Sequence, residues 1–225
     1  MKGLAGAKEV HEQSGGNFYK NFKLEKNGHS AVVRVLEPET EWHSFHIHQL
    51  WDNATKKFLV RPTRCPSEAV KRDPENCALC ALGDQVQRQF KTYIPVLIRP
   101  SKDFVGEYTP EVSIVAYGSK GLNPVENVIE ELPEGINITM LDIRIKRVGD
   151  GLATTYYWNP IGSPRALNAD EAALEIPDME EAWQVPTRIE LDRSARTFMQ
   201  STNVRPVSTS DSFNDDNFDS SELPF

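Results

Sequence analysis

Three cysteines and the histidines upstream of them constrain this chain more than any other feature. Cys77-Ala78-Leu79-Cys80 sets two thiols two residues apart, Cys65 precedes them by twelve positions, and His43, His46 and His48 come earlier still. A Cys-x2-Cys turn presents two thiolates to one metal at the ~2.3 Å that zinc prefers, and a tetrahedral site needs two further ligands. Cys65 supplies the third. His48 supplies the fourth in the most compact arrangement, His48-x16-Cys65-x11-Cys77-x2-Cys80. His46 is the alternative, because residues two apart on a strand share a face. Four protein ligands leave no position for a reacting water, so the spacing predicts one structural zinc ion per chain. An odd cysteine count argues against a disulfide framework. Zinc-deaminase chemistry needs Glu two residues after the ligand His and Pro before the Cys pair. Leu50 and Asn76 stand there instead.

The surrounding pattern predicts a mainly β, α+β fold. Strand composition appears at residues 31–36, 43–48, 57–60, 93–98, 112–117, 138–148 and 152–158, the last two joined by the hairpin signal Gly149-Asp150-Gly151. Leu82, Val86 and Phe90, spaced by four, predict a short helix. Leu122, Val125, Val128, Ile129 and Leu132 predict a second, stopped by Pro133 and Gly135. This arrangement is consistent with an OB-fold barrel, the oligonucleotide-binding five-stranded architecture. The expected organisation is a mobile arm over 1–29 and an OB-fold core over 30–165 with a zinc subdomain at 43–90. An acidic helical extension follows over 166–200, then a linker and disordered acidic tail over 201–225. No apolar run approaches the ~18 residues of a membrane span, and no signal region opens the chain, so a cytoplasmic location is expected.

The net charge of −8 argues against a nucleic-acid partner only until it is divided along the chain. Residues 1–165 hold 21 bases and 20 acids, whereas 166–225 hold 4 bases and 13 acids. Within the body, Lys56, Lys57, Arg61, Arg64, Lys71 and Arg72 face only Glu68 over residues 56–72, a basic strip. The last fifteen residues carry Asp211, Asp215, Asp216, Asp219 and Glu222 with no base, and end on Leu223-Pro224-Phe225. So polar a segment builds no core and reads as an interaction tail. A ring beside a terminal carboxylate suits a pocket bearing an Arg or Lys.

This ending resembles the tails of bacterial and bacteriophage single-stranded DNA-binding proteins. The order of a strand holding His48, a basic loop, Cys65 and Cys77-x2-Cys80 resembles the zinc subdomain of the phage members, the T-even helix-destabilising proteins included. The run from Asp142 to Gly151 with Thr154-Thr155-Tyr156-Tyr157 is similar to their last barrel strands. The loop between Cys65 and Cys77 departs from the T-even pattern. The resemblance implies a protein, not an enzyme, that coats and protects single-stranded DNA without sequence specificity in phage DNA replication, recombination and repair, in the host cytoplasm. Replication and recombination proteins would be recruited through the tail, with self-association along DNA and no membrane role.

Such binding needs cations along the phosphates and rings on which bases stack. The expected DNA contacts are Arg34, Lys57, Arg61, Arg64, Lys71, Arg72, Arg99, Lys120, Arg144 and Lys146, with Trp51, Phe58, Tyr93, Tyr156 and Trp158 as stacking rings. Tyr156 and Trp158 share one strand face and Tyr157 takes the other. The competing expectation is a zinc-ribbon transcription or recombination accessory factor that binds protein or duplex DNA.

Overall fold

The computed structural model describes residues 19–52, 55, 57–100 and 110–202. The first eighteen residues and the tail calls Asp215, Asp216, Asp219, Glu222, Leu223, Pro224 and Phe225 lie outside the described residues, as does the side chain of Lys120. Ten strands form among the described residues: β1 Lys20–Asn21, β2 Ser30–Val35, β3 His43–Gln49, β4 Trp51–Asp52, β5 Lys57–Phe58, β6 Thr63–Arg64, β7 Gln87–Ile98, β8 Val112–Tyr117, β9 Asp142–Val148 and β10 Thr155–Ile161. The α-helices are α1 Ser119–Glu130, α2 Ala169–Ala172, α3 Met179–Ala182 and α4 Arg188–Thr202. The protein is therefore α+β and sheet-rich. It divides into two compact units, one from residues within 1–43 and 92–182, the other from residues within 44–91 and 183–219. Among the described residues, no helix is long and apolar enough to cross a membrane.

In the first unit the strand order is β1-β8-β7-β2-β9-β10, with β1 parallel to β8 and the remaining pairs antiparallel. β-branched residues at alternate positions build its core: Val33 and Val35 from β2, Val96 from β7, Val115 from β8, and Ile143 and Ile145 from β9 are all buried. Helix α1 adds Val125 and Val128 to that core and packs on β8 and β10. Gly121 lets the helix approach, because a Cβ there would lie 2.9 Å from the Tyr117 ring. Tyr117 also ties the end of β8 to β10. Its hydroxyl accepts a 3.2 Å bond from Trp158 Nε1, and its ring meets that of Tyr156 at 5.6 Å. Burial pushes the Tyr117 hydroxyl well above its ordinary pKa. The β9–β10 turn requires Gly149, where φ is +85° and a Cβ would sit 2.3 Å from the Ala153 carbonyl.

Two stretches of this unit extend beyond the expected barrel limits. Residues 19–24, expected in the arm, add β1 to the sheet and bury Tyr19 and Leu24. Beyond residue 164, Arg165 N donates to Met140 O at 2.8 Å, and the Glu171 carboxylate bonds both Arg165 and Arg99. α2 opens with a capping box, Asn168 and Glu171 bonding one another's backbone N–H.

In the second unit, β3 pairs with β6, and β4 with β5. The expected helix through Leu82, Val86 and Phe90 is only a 3-10 segment, Cys80–Gln85, broken at Gly83 by φ 59° and ψ −142°. Leu82 and Val86 are buried, while Phe90 falls in β7 and is exposed. Helix α4 completes this unit. Leu191, Ala195 and Phe198, at i, i+4 and i+7, pack into one cluster with Leu50, Leu79, Leu82, Val86 and the three cysteines. Thr187 and Glu190 cap its start: Glu190 Oε2 accepts from Thr187 N at 2.7 Å, and Thr187 Oγ1 from Glu190 N at 3.3 Å. Part of the expected acidic extension is thus core material of the cysteine unit, and α4 carries Arg188, Arg193 and Arg196 against Glu190 and Asp192.

Candidate metal centre

The strand pairing brings the first two ligands together. Ile47 lies opposite Arg64 and His48 opposite Thr63, and Cys65 N continues the ladder by donating to His46 O at 2.8 Å. The second pair is set by a turn at Asp73, whose carboxylate accepts from Asn76 N at 3.2 Å and Asn76 Nδ2 at 2.9 Å. Cys77 N then bonds Asp73 O at 3.0 Å and Ala81 N bonds Cys77 O at 3.1 Å, which curls the Cys-x2-Cys segment around its two sulfurs.

His48, Cys65, Cys77 and Cys80 are all buried, and their ligand atoms lie within 4.8 Å of one another. Cys65 Sγ is 3.7 Å from Cys80 Sγ, and His48 Nε2 is 3.3 Å from Cys77 Sγ and 3.6 Å from Cys80 Sγ. A tetrahedron with bonds of ~2.3 Å to sulfur and ~2.0–2.1 Å to nitrogen has edges of about 3.8 Å between sulfurs and about 3.6 Å from nitrogen to sulfur. The donor set and its spacing therefore fit a metal ion, in a form consistent with structural zinc. Packed this closely, the three thiols resist ionising together. Hydrogen bonds from Cys77 and Cys80 pull the Cys65 thiol down, while bonding to Cys65 pushes both of the others up. A divalent ion takes all three as thiolates and releases their protons. His48 Nδ1 is buried with no hydrogen-bond partner, so packing fixes the ring.

His46 stands outside this cluster. Its ring meets Phe90 edge-on at 5.2 Å, and burial, with the Arg88 charge second, holds it below its ordinary pKa. His43 Nδ1 lies 3.5 Å from Glu180 Oε1.

Several expected DNA contacts are bonded into the framework of the fold. Arg34 is 1% exposed, and its guanidinium bonds Asp142 at 2.7 Å and the carbonyls of Thr139 and Arg165 at 3.0 and 3.1 Å. Arg99 bonds Asp142 at 3.0 Å and pairs with Glu171. Arg64 is buried, bonds Trp183 O at 3.2 Å and stacks over the Phe45 ring at 4.4 Å. Arg72 bonds Val86 O at 3.0 Å and lies 3.7 Å from Asp84. Loops without ladder partners need donors for their carbonyls, and Arg34, Arg64 and Arg72 supply them. Arg88, which the sequence reading passed over, does the same for Ser67, Ala69 and Val70. Tyr93 and Trp158 are buried and Tyr156 is half-buried against the core, so these rings pack inside the first unit.

Of the expected contacts, Lys57, Arg61 and Lys71 in the second unit and Arg144 and Lys146 in the first are exposed. Phe58 is exposed and meets half-buried Trp51 edge-on at 5.0 Å. Tyr157 is the exposed ring of β10 at 51%, on the opposite face from Trp158. Strand alternation separates those two faces in the sequence, but only the fold shows which is core. No protein-family model, curated protein or solved structure matches the chain.

Proposed function

We propose that the chain is a single-stranded DNA-binding protein of the zinc-containing phage type, which coats and protects unpaired DNA without sequence specificity during replication, recombination and repair. Strand order carries this reading. Numbered along the chain, β2, β7, β8, β9 and β10 lie in the order third, second, first, fourth, fifth, with α1 between the third and fourth. That is the connectivity of the oligonucleotide-binding barrel, whose partly open seam would fall here between β8 and β10, where Tyr117 and Trp158 meet. Residues 44–91, with the metal ligands, enter between the first two barrel strands.

Zinc is the metal that three thiolates and an imidazole in a closed tetrahedron suit best, and its role is structural. The ion would clip together β3, the end of β6 and the Asp73 turn. Lys57, Arg61, Lys71, Arg144 and Lys146 would follow phosphates, and Trp51 with Phe58 would offer a ring edge to bases. The tail's acids would compete with DNA for these cations when DNA is scarce and present Leu223, Pro224 and Phe225 to partner proteins when it is bound. Removal of residues 211–225 is then expected to tighten binding to oligo(dT), most at low salt, because phosphate contacts weaken as salt rises. Unchanged affinity across a salt series would contradict this role. The test of the whole reading is a mobility-shift comparison of poly(dT) with duplex DNA. Strong single-strand preference supports it, and a duplex preference would instead favour the accessory-factor alternative.

A further inference from the structure

The outer face of β9 and β10 carries a row of side chains that the fold leaves uncovered. Alternation turns Ile143, Ile145 and Trp158 into the core and Arg144, Lys146, Tyr157 and Asn159 outward, where all four are exposed. The register sets Lys146 directly opposite Tyr157, and Arg144 opposite Asn159. On the other side of β9, Ser30 and Val32 of β2 continue the two rows at the same level. The next row, Arg34 beside Asp142, is sealed by the Arg165 carbonyl and the Arg99 and Glu171 ion pairs. One end of this face is therefore covered and neutralised and the other is open.

Charge pairing separates the two ends of this face. Arg34, Arg99, Arg147 and Arg165 of this unit each face a carboxylate, whereas Arg144 and Lys146 have no ion-pair partner among the described residues. The two cations are about 7 Å apart along the strand, which lets them engage neighbouring phosphates. Cross-strand neighbours sit about 5 Å apart, so the Tyr157 ring lies within reach of the Lys146 stem on an otherwise flat sheet.

We propose that this face is a stacking platform for unpaired nucleic acid, on which one base lies against Tyr157 while Lys146 and Arg144 hold flanking phosphates. It rests on the single-strand reading above and assigns the barrel's contact surface within it. A duplex hides its base faces and leaves the ring nothing to stack on, whereas a neutral chain leaves both cations uncompensated. Stacking tolerates any base, which agrees with binding without sequence preference.

The experiment is fluorescence anisotropy of a labelled oligo(dT) titrated with the full zinc-loaded chain over a salt series. Tyr157→Ala is expected to weaken binding by about 5- to 100-fold. Tyr157→Phe and Tyr157→Trp are expected to retain wild-type affinity, since both keep a flat ring. The double variant Arg144→Gln, Lys146→Gln is expected to reduce the slope of log K against log salt by about 1.4. All of these positions are exposed, so thermal unfolding of each variant should match wild type. If wild-type protein binds oligo(dT) while Tyr157→Ala and the double variant bind equally well, the platform is overturned and the single-strand reading stands. If the wild type itself fails to bind, that reading falls and takes the platform with it.

Discussion

Three buried thiols packed together oppose one another's ionisation, and a divalent cation held among them and the His48 ring would resolve the conflict. If the four hold one ion, loss of any one opens the tetrahedron, and the choice between the two strand histidines becomes testable. His48→Ala and Cys77→Ser are expected to abolish stoichiometric zinc, whereas His46→Ala is expected to keep it, as read by metal analysis of the purified variants. Retention of zinc by His48→Ala would refute the ligand set. A second buried charge system behaves differently. Burial opposes ionisation of Asp142, but hydrogen bonds and charge from Arg34 and Arg99 outweigh it and hold its carboxyl below the usual range. Glu171 is also held well below its ordinary pKa, chiefly by Arg165, with Asn168 N–H and Arg99 adding to the effect against burial. Both folded pKa values lie below those of the unfolded chain, ~3.9 for Asp and ~4.3 for Glu. Their contribution is therefore complete above about pH 5 and is lost as pH falls through the folded values. Glu171→Gln is expected to destabilise the protein by about 2–3 kcal/mol at neutral pH, less than the ~3–5 of a fully buried pair because Arg165 is partly solvated. Urea unfolding at pH 7 and pH 3 should show the variant's deficit shrinking in acid; an equal deficit at both would contradict the assignment.

At the level of elements, α4 has the largest consequence. Its apolar side chains close the core around the three cysteines, so the candidate metal centre depends on a helix more than a hundred residues from Cys77 along the chain. Leu191, 1% exposed, is expected to cost about 2–5 kcal/mol on truncation to Ala. Because metal binding and folding are coupled, the same variant should lose zinc to a chelator faster than wild type. Unchanged chelation kinetics would separate the helix from the site. Little of this is legible in the sequence: the 3.6-residue spacing of Leu191, Ala195 and Phe198 marks a helix, but nothing local names its partner. The metal ligands are legible because coordination chemistry restricts residue type and spacing at once. Strands β2, β8 and β10 are legible from β-branched and aromatic runs. The helix expected after Cys80 fails at Gly83, whose backbone turns out of the helical region and frees Gln87 onward to form a strand.

At the scale of the whole molecule, charge counted along the sequence overstates the surface available to a polyanion. Arg34, Arg64, Arg72 and Arg99 read as available cations in the sequence, yet all are spent on carbonyls and carboxylates inside their own units. Strand alternation shows that Arg34 and Arg144 lie on one face but not that residues 165–171 cover only the first. Fewer of the expected cations stay exposed, among them Lys57 next to the exposed ring Phe58 and Lys146 opposite the exposed ring Tyr157. The central claim is that these groups receive unpaired DNA on a barrel accompanied by a zinc-clipped unit. Its most direct test is the affinity of zinc-loaded protein for oligo(dT) and for duplex DNA of the same length, measured in parallel across one salt series. The account predicts tight single-strand binding that weakens linearly in log salt and clear discrimination against the duplex; equal affinity for both, or no affinity for oligo(dT), would contradict it.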